Sequence, residues 1–406
     1  MIKRLKNFIL GLFDVYCREF RLVISDAGII LFFSFLPLVY PLIYSLIYNP
    51  ELVKEVAVVV VDNDRTPLSR ELVRNFNACD QAWVKGYAAN LDEARRAMAG
   101  KDCFAILEIP EGMEKKVGRG ETAPAVLYCD MTLLLRYRGF LVAATNVMTS
   151  MGSELLTQKI EEVAPLAETV VSGDLLDIEN INMGNIRGGF DTFIMPGVII
   201  LILQQCIILA CGMAGGAKRE RRRLTGYNSD NMARSILATM LGQALCYLTI
   251  LALPIFFMIH YVPLIFSFPM AGNTLEEVAL ILPLFLASVG LGFSFQAFVT
   301  EREAVFVNWV VTSLIFLFLS GLIWPIYAMP QPWKTLSALC PATWGVEGFV
   351  KMNANGSSLA QVSNDYINLW ILTIFWWIVA YCVQRWVVRP ALRREVKAGL
   401  QGPDLG

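Results

Sequence analysis

Long apolar runs alternate with polar segments along the 406 residues of the chain. The runs fall at 27–48, 191–213, 235–260, 278–299, 305–326 and 368–388. Each is about 20 residues long, the length a helix needs to cross the hydrocarbon core of a bilayer. The pattern predicts six transmembrane helices within 27–48 and 190–390. Between the first run and the second lies a polar insert, 49–189, much longer than any other gap. The first run reads as a retained anchor and not as a signal peptide. It is too long, and Ser45-Leu46-Ile47-Tyr48-Asn49 offers no small-x-small cleavage site.

Before the first run, Ile2, Leu5, Ile9, Leu12, Phe13, Tyr16, Phe20 and Val23 recur at helical spacing, with Lys3, Arg4, Lys6, Asp14, Arg18 and Arg21 on the other face. A basic amphipathic helix within 1–26 is expected. It lies in the membrane interface or packs on a protein partner, and the two are compatible.

The insert has a different rhythm. Residues 55–61 form a β-branched run, as in a strand buried on both faces. Asp62-Asn63-Asp64 makes a turn, and Thr66-Pro67 starts a helix that continues through Leu68, Leu72, Val73 and Phe76. A strand at 82–88, a helix capped by Asn90, strands at 103–109 and 124–129, and a long helix over 132–170 follow. The fold class is an α-helical polytopic membrane protein with an inserted extracytoplasmic α/β domain.

Charge sets the orientation. Only 17% of residues are charged and 56% are hydrophobic, against about a quarter charged in soluble chains. The net charge of −1 gives no reason to expect nucleic acid. Lys and Arg crowd the segment before the first run, the loop 214–234 and the tail 391–406, whereas 261–277 has none. By the positive-inside rule both termini are cytoplasmic and the insert is outside. The nine cysteines contain no Cys-x-x-Cys pair. Cys79, Cys103 and Cys129 in the insert allow one disulfide or remain buried free thiols.

The stretch Gly212 to Arg219 is a near miss to a phosphate-binding loop, but it lacks the second Gly and the Ser/Thr that would hold magnesium. Gly212 and Gly216 there read as sites of close helix packing. The middles of the six runs carry no Asp, Glu, Lys or Arg, which disfavours a proton-driven carrier. Their polar residues are Gln204, Gln205, Gln243, Gln296 and Asn308, which line a path or bond neighbouring helices. No nucleophile elbow or calcium loop is present. The reading is of a non-enzymatic chain that binds no cofactor of its own.

Two segments stand out. The loop around Lys218–Asn231 joins two spans directly and has Asn, Ser and Asp capping chemistry, so it forms a docking helix or a plain basic loop. After the fifth run, prolines at 325, 330, 332 and 341 interrupt an otherwise apolar stretch that carries Trp324, Trp333 and Trp344. Such backbone at membrane depth needs cover from protein or a water-filled cavity. Residues 326–346 therefore form a re-entrant pair of short helices or an interfacial loop.

These parts, in this order, resemble the ABC-2 family of ABC-transporter permeases (type V exporter-like), in the subgroup with a large outer domain between the first two spans. That family ends its fifth span in a Gly-x-x-x-Pro…Met-Pro element followed by Pro-small-Thr-aromatic. Gly321, Pro325, Met329, Pro330 and Pro341-Ala342-Thr343-Trp344 match it. The family's Glu-Arg-Glu-x-Gly-Thr stretch is matched by Glu220, Arg221 and Thr225, with Arg222 where an acid is usual and Leu224 where Gly is usual.

The resemblance implies an exporter subunit in a bacterial inner membrane that pairs with a second copy or a paralogue. It also implies a cytoplasmic ABC ATPase carrying the ATP and magnesium. Coupling would fall on Glu220, Arg221, Thr225, Tyr227, Asn228 and Asp230, and the gate on Gly321, Pro325, Met329, Pro330, Pro341, Thr343 and Trp344. Phe193, Gln204, Gln205, Asn308 and Trp309 would lie along the path. The cargo would be amphipathic, lipid-like or drug-like, with membrane lipids around the chain and a periplasmic adaptor as a further partner. The competing expectation is a membrane receptor or scaffold that recognises its ligand through the outer domain.

Overall fold

The computed structural model describes residues 2–48, 53–131, 134–163, 185, 189–225, 235–299 and 303–390. The chain forms two compact units, one of residues 50–181 and one of 1–49 with 182–406.

The unit from the insert is an α/β domain. Strands β1 (Val56–Asp62), β2 (Ala82–Tyr87), β3 (Ala105–Ile109) and β4 (Val126–Cys129) form one sheet in the order β2-β1-β3-β4. β2 and β3 run parallel to β1, and β4 runs antiparallel to β3. The helices are α3 (Pro67–Ala78), α4 (Leu91–Ala99), the short α5 (Met113–Gly118) and α6 (Leu134–Val163). The β-branched run is explained by burial on both faces. Val56, Val58 and Val60 pack with Leu72, Phe76 and Phe140, while Val59 and Val61 pack with Ala94 and Ile106 on the other side.

Local chemistry starts the helices as expected. Thr66 caps α3 reciprocally with Ser69, with Pro67 in the first turn, and Asn90 accepts from Glu93 N at the start of α4. α5 has no counterpart in the sequence reading. Its first-turn N–H groups, from Gly112, Met113 and Glu114, are taken by the Asp64 carboxylate 48 residues or more away in sequence. Burial alone would raise the Asp64 pKa. The hydrogen bonds from Thr66 and from these three N–H groups outweigh it and hold the carboxyl below its ordinary value. Cys79, Cys103 and Cys129 are free thiols whose pKa burial pushes up.

The second unit is helical. It comprises α1 (Ile2–Ser25), α2 (Ala27–Ile47), α7 (Phe190–Thr225), α8 (Ile236–Phe266), α9 (Thr274–Gln296), α10 (Ala304–Leu319), α11 (Gln331–Ala338), α12 (Pro341–Asn355) and α13 (Ser363–Val388). Single π turns interrupt α2 at Leu31–Phe35, α8 at Phe257–Tyr261 and α13 at Gln384–Val388. Among the described residues, five helices (α2, α7, α8, α9, α13) are long and apolar enough to cross a membrane, and α10 is apolar but shorter. α7 is the central element, buried without a break from Met195 to Lys218, as expected of a helix apolar on every side. Cβ atoms at Gly212 and Gly215 would fall within 2.8 Å of Val305 and 2.2 Å of Gln296, so α10 and α9 approach α7 where it lacks side chains.

Two boundaries differ most from the sequence reading. The run ending at 213 continues as helix to Thr225, so the first part of the expected 214–234 loop is the last part of α7. Lys218 to Thr225 contains no Gly or Pro, so good helix formers carry the helix on past 213. The fifth run, expected to 326, leaves the helix at Leu319. The chain then turns at Gly321, whose φ is +83° and where a Cβ would meet Ile326 Cγ1 at 2.8 Å.

α1 packs one face on the bundle and leaves another exposed. Ile9, Leu10 and Phe13 are exposed, while Val15, Glu19, Leu22 and Val23 are buried. Its close approach to α8 is set at Gly242, where a Cβ would lie 2.7 Å from Leu12 O.

Candidate transport path and coupling region

The broken segment after α10 is fastened from three sides. Gln204 Oε1, buried in the middle of α7, accepts Ala342 N at 2.6 Å and so caps α12. Thr343 Oγ1 donates to Leu319 O at 3.2 Å, and Trp344 Nε1 donates to Ala338 O at 3.0 Å. Thus Pro341-Ala342-Thr343-Trp344 ties α12 to α7, to the end of α10 and to α11. Met329 is buried, whereas Pro325 and Pro330 are exposed at the turns on either side of Ile326–Ala328.

Gln205, the next residue along α7, has a different setting. It is 7% exposed, and neither of its amide atoms has a hydrogen-bond partner among the described residues. It lines a groove of about 160 Å³ between α2, α7 and α10, with Tyr40, Tyr44, Trp309 and Ser313 among apolar neighbours. The buried indole Nε1 of Trp309 also lacks a partner among the described residues. Buried polar atoms are normally paired, so this groove holds donors and an acceptor suited to a polar group on a mainly apolar guest. Asn308 is half-buried and does not line it.

Phe193 lies elsewhere, at a larger cavity of about 680 Å³ walled by the start of α7, the turn Ser320–Tyr327 and α12. Pro196, Gly321, Pro325, Val346 and Val350 give it apolar walls, and Glu347 and Lys351 line one side. Lys351 Nζ is 2.9 Å from Glu347 Oε1 and 3.0 Å from Asp365 Oδ2, the latter side chain being almost fully buried. The structure therefore separates the five path residues. Gln205 and Trp309 share the groove, Phe193 faces the larger cavity, Gln204 caps α12, and Asn308 adjoins the groove.

At the other end of α7, Lys218 Nζ lies 2.6 Å from Glu19 Oε2, with both side chains 5% exposed. Tyr247 Oη on α8 donates to the second oxygen of Glu19 at 2.6 Å. One carboxylate therefore joins α1, α7 and α8. The guanidinium of Arg219 donates to the carbonyls of Ala297 and Val299, just beyond the end of α9, a favourable place for a cation. Two of the cations expected in a loop thus hold helices together. Glu220 and Arg221 are exposed on the last turns of α7. Thr225 ends that helix, while its side chain, Tyr227, Asn228 and Asp230 lie outside the described residues.

Sequence reasoning missed the Glu19, Lys218 and Tyr247 cluster. Its signal was present: Glu19 falls at helical spacing between Val15 and Leu22, on the buried stripe of α1. Tyr40 and Tyr44 of the groove carry the same spacing on α2 but do not stand out in an apolar span.

A bundle of long apolar helices around a buried central helix, with a separate α/β unit inserted after the first, defines a multi-pass membrane protein. The chain belongs to the ABC-2 family of transporter proteins, whose family model matches residues 27–382. No curated protein sequence matches it. Members of this family are transport membrane subunits that work with an ABC ATPase.

Proposed function

We propose that the chain is the permease subunit of an ATP-driven exporter that moves an amphipathic, lipid-like or drug-like compound outward across a bacterial inner membrane. The observation that carries this reading is the groove at Gln205 and Trp309. It places unpartnered polar atoms in an apolar wall inside the bundle, and such a wall favours a guest with an apolar body and a polar group. The 680 Å³ cavity at Phe193 is the corresponding outer chamber.

In this reading α10 makes the sixth crossing, and α11 and α12 form a re-entrant pair after it. Gln204 is 14 residues along α7, so the α12 terminus it caps lies about 21 Å from the start of that helix. α12 then returns toward the start of α7, where Asn355 and Phe193 border the same cavity. That course is re-entrant. The basic foot of α7 faces the cytoplasm, and the ATPase docks against Glu220, Arg221 and the segment through Asp230. Two permease subunits, identical or paralogous, enclose the path. The outer domain meets substrate or a periplasmic adaptor.

The test is reconstitution with the ATPase that copurifies. A panel of lipids and amphiphiles is scored for stimulated ATP turnover in the wild type and in Gln205→Leu. Loss of one hydrogen bond to the guest raises its half-saturating concentration about ten-fold. Turnover indifferent to every amphiphile would end the substrate assignment. Absence of any copurifying ATPase would favour a receptor or scaffold.

A further inference from the structure

A third cavity, of about 460 Å³, lies where the C-terminal end of α13 meets the start of α8. It is lined by Arg385 and Trp386 from α13, by Arg389 directly after it, by Tyr381 one turn earlier, and by Ser235 at the head of α8. We propose that it binds the phosphate headgroup of an anionic phospholipid. Arg385 and Arg389 are four residues apart and share one helix face. Guanidinium groups match phosphate oxygens in geometry as well as charge. Arg385 is exposed and makes no ion pair among the described residues.

The third wall adds to this. Ser235 is the N-cap of α8, but its side chain takes no first-turn N–H. The positive end of a long helix thus borders the two arginines. The source of the phosphate follows from α13 itself. Ile371, Ile374, Phe375 and Ile378 are all exposed along one stripe, and Arg385 continues it two turns after Ile378. A diacyl chain lying on that stripe brings its headgroup to the cavity, whereas a free phosphate makes no use of it. Trp386 is 69% exposed, as suits a side chain at headgroup level.

The experiment uses the full chain in detergent. Native mass spectrometry measures retention of phosphatidylglycerol against phosphatidylcholine of matched acyl chains, with inorganic phosphate as competitor. We expect phosphatidylglycerol to be retained preferentially. Arg385→Gln should weaken that preference about five-fold, the effect of one cation near a phosphate. Arg385→Lys should restore part of it, and Trp386→Ala should weaken retention of both lipids. Equal retention of the two lipids overturns the site. So does an equal loss in Arg18→Gln, which would mark diffuse surface charge. Displacement by millimolar phosphate would replace the lipid with a soluble anion. None of these outcomes depends on the transport reading.

Discussion

Glu19 is one carboxylate shared by an ammonium and a phenol, with little access to water. Removing one member of a buried pair strands the other charge, at a cost of about 3–5 kcal/mol. Glu19→Ala should therefore lower the thermal unfolding midpoint of the purified protein sharply. The double variant Glu19→Leu with Lys218→Met should recover most of that loss, because no charge is left uncompensated. Equal unfolding midpoints for the single and double variants would show that Lys218 is not held by Glu19. Sequence placed Lys218 in a basic loop, whereas it is buried on α7. Its partner lies nearly two hundred residues earlier, and one-dimensional pattern carries no information about which helix faces which.

At the scale of elements, two caps reach across the chain. Asp64 holds the start of α5, and replacing a capping acid costs about 1 kcal/mol. Its folded pKa is depressed, so its contribution is present above the unfolded value of about 3.9 and is lost as pH falls through the folded value. Asp64→Ala should be less stable than wild type at neutral pH, and the difference should vanish in strong acid. Chemical denaturation of the full chain at several pH values, followed through the unfolding of the α/β unit, measures it. Gln204→Leu leaves the buried Ala342 N–H without its acceptor, which costs about 1–3 kcal/mol. Limited proteolysis between α10 and α12 should quicken in that variant while α7 stays intact. Strands and helix starts in the insert were legible because their signals are local: β-branched runs, Thr66-Pro67 and Asn90. α5 was not, because Asp64 supplies its cap from the end of the neighbouring strand, 48 residues or more away in sequence. The end of α10 at Leu319 was not, because apolar composition continues past it and only the Gly321 turn stops the helix.

For the whole molecule, the prediction concerns the engine. Arg221→Glu reverses a charge on an exposed turn of α7, so it should abolish copurification of the ATPase while the permease still elutes as a folded protein. Retained ATPase in that variant would move the docking surface away from α7. Sequence alone determined the class of this protein. Apolar run length, the single long insert, and the proline-broken element with Pro341-Ala342-Thr343-Trp344 are properties of local composition, and each is set by the bilayer or by backbone sterics. Tertiary structure alone decided how the polar residues inside the bundle are used. Gln204 and Gln205 are adjacent and chemically identical, yet successive positions on a helix point about 100° apart. One therefore meets the head of α12 and is satisfied, while the other meets a groove and is left with its hydrogen-bonding capacity unused.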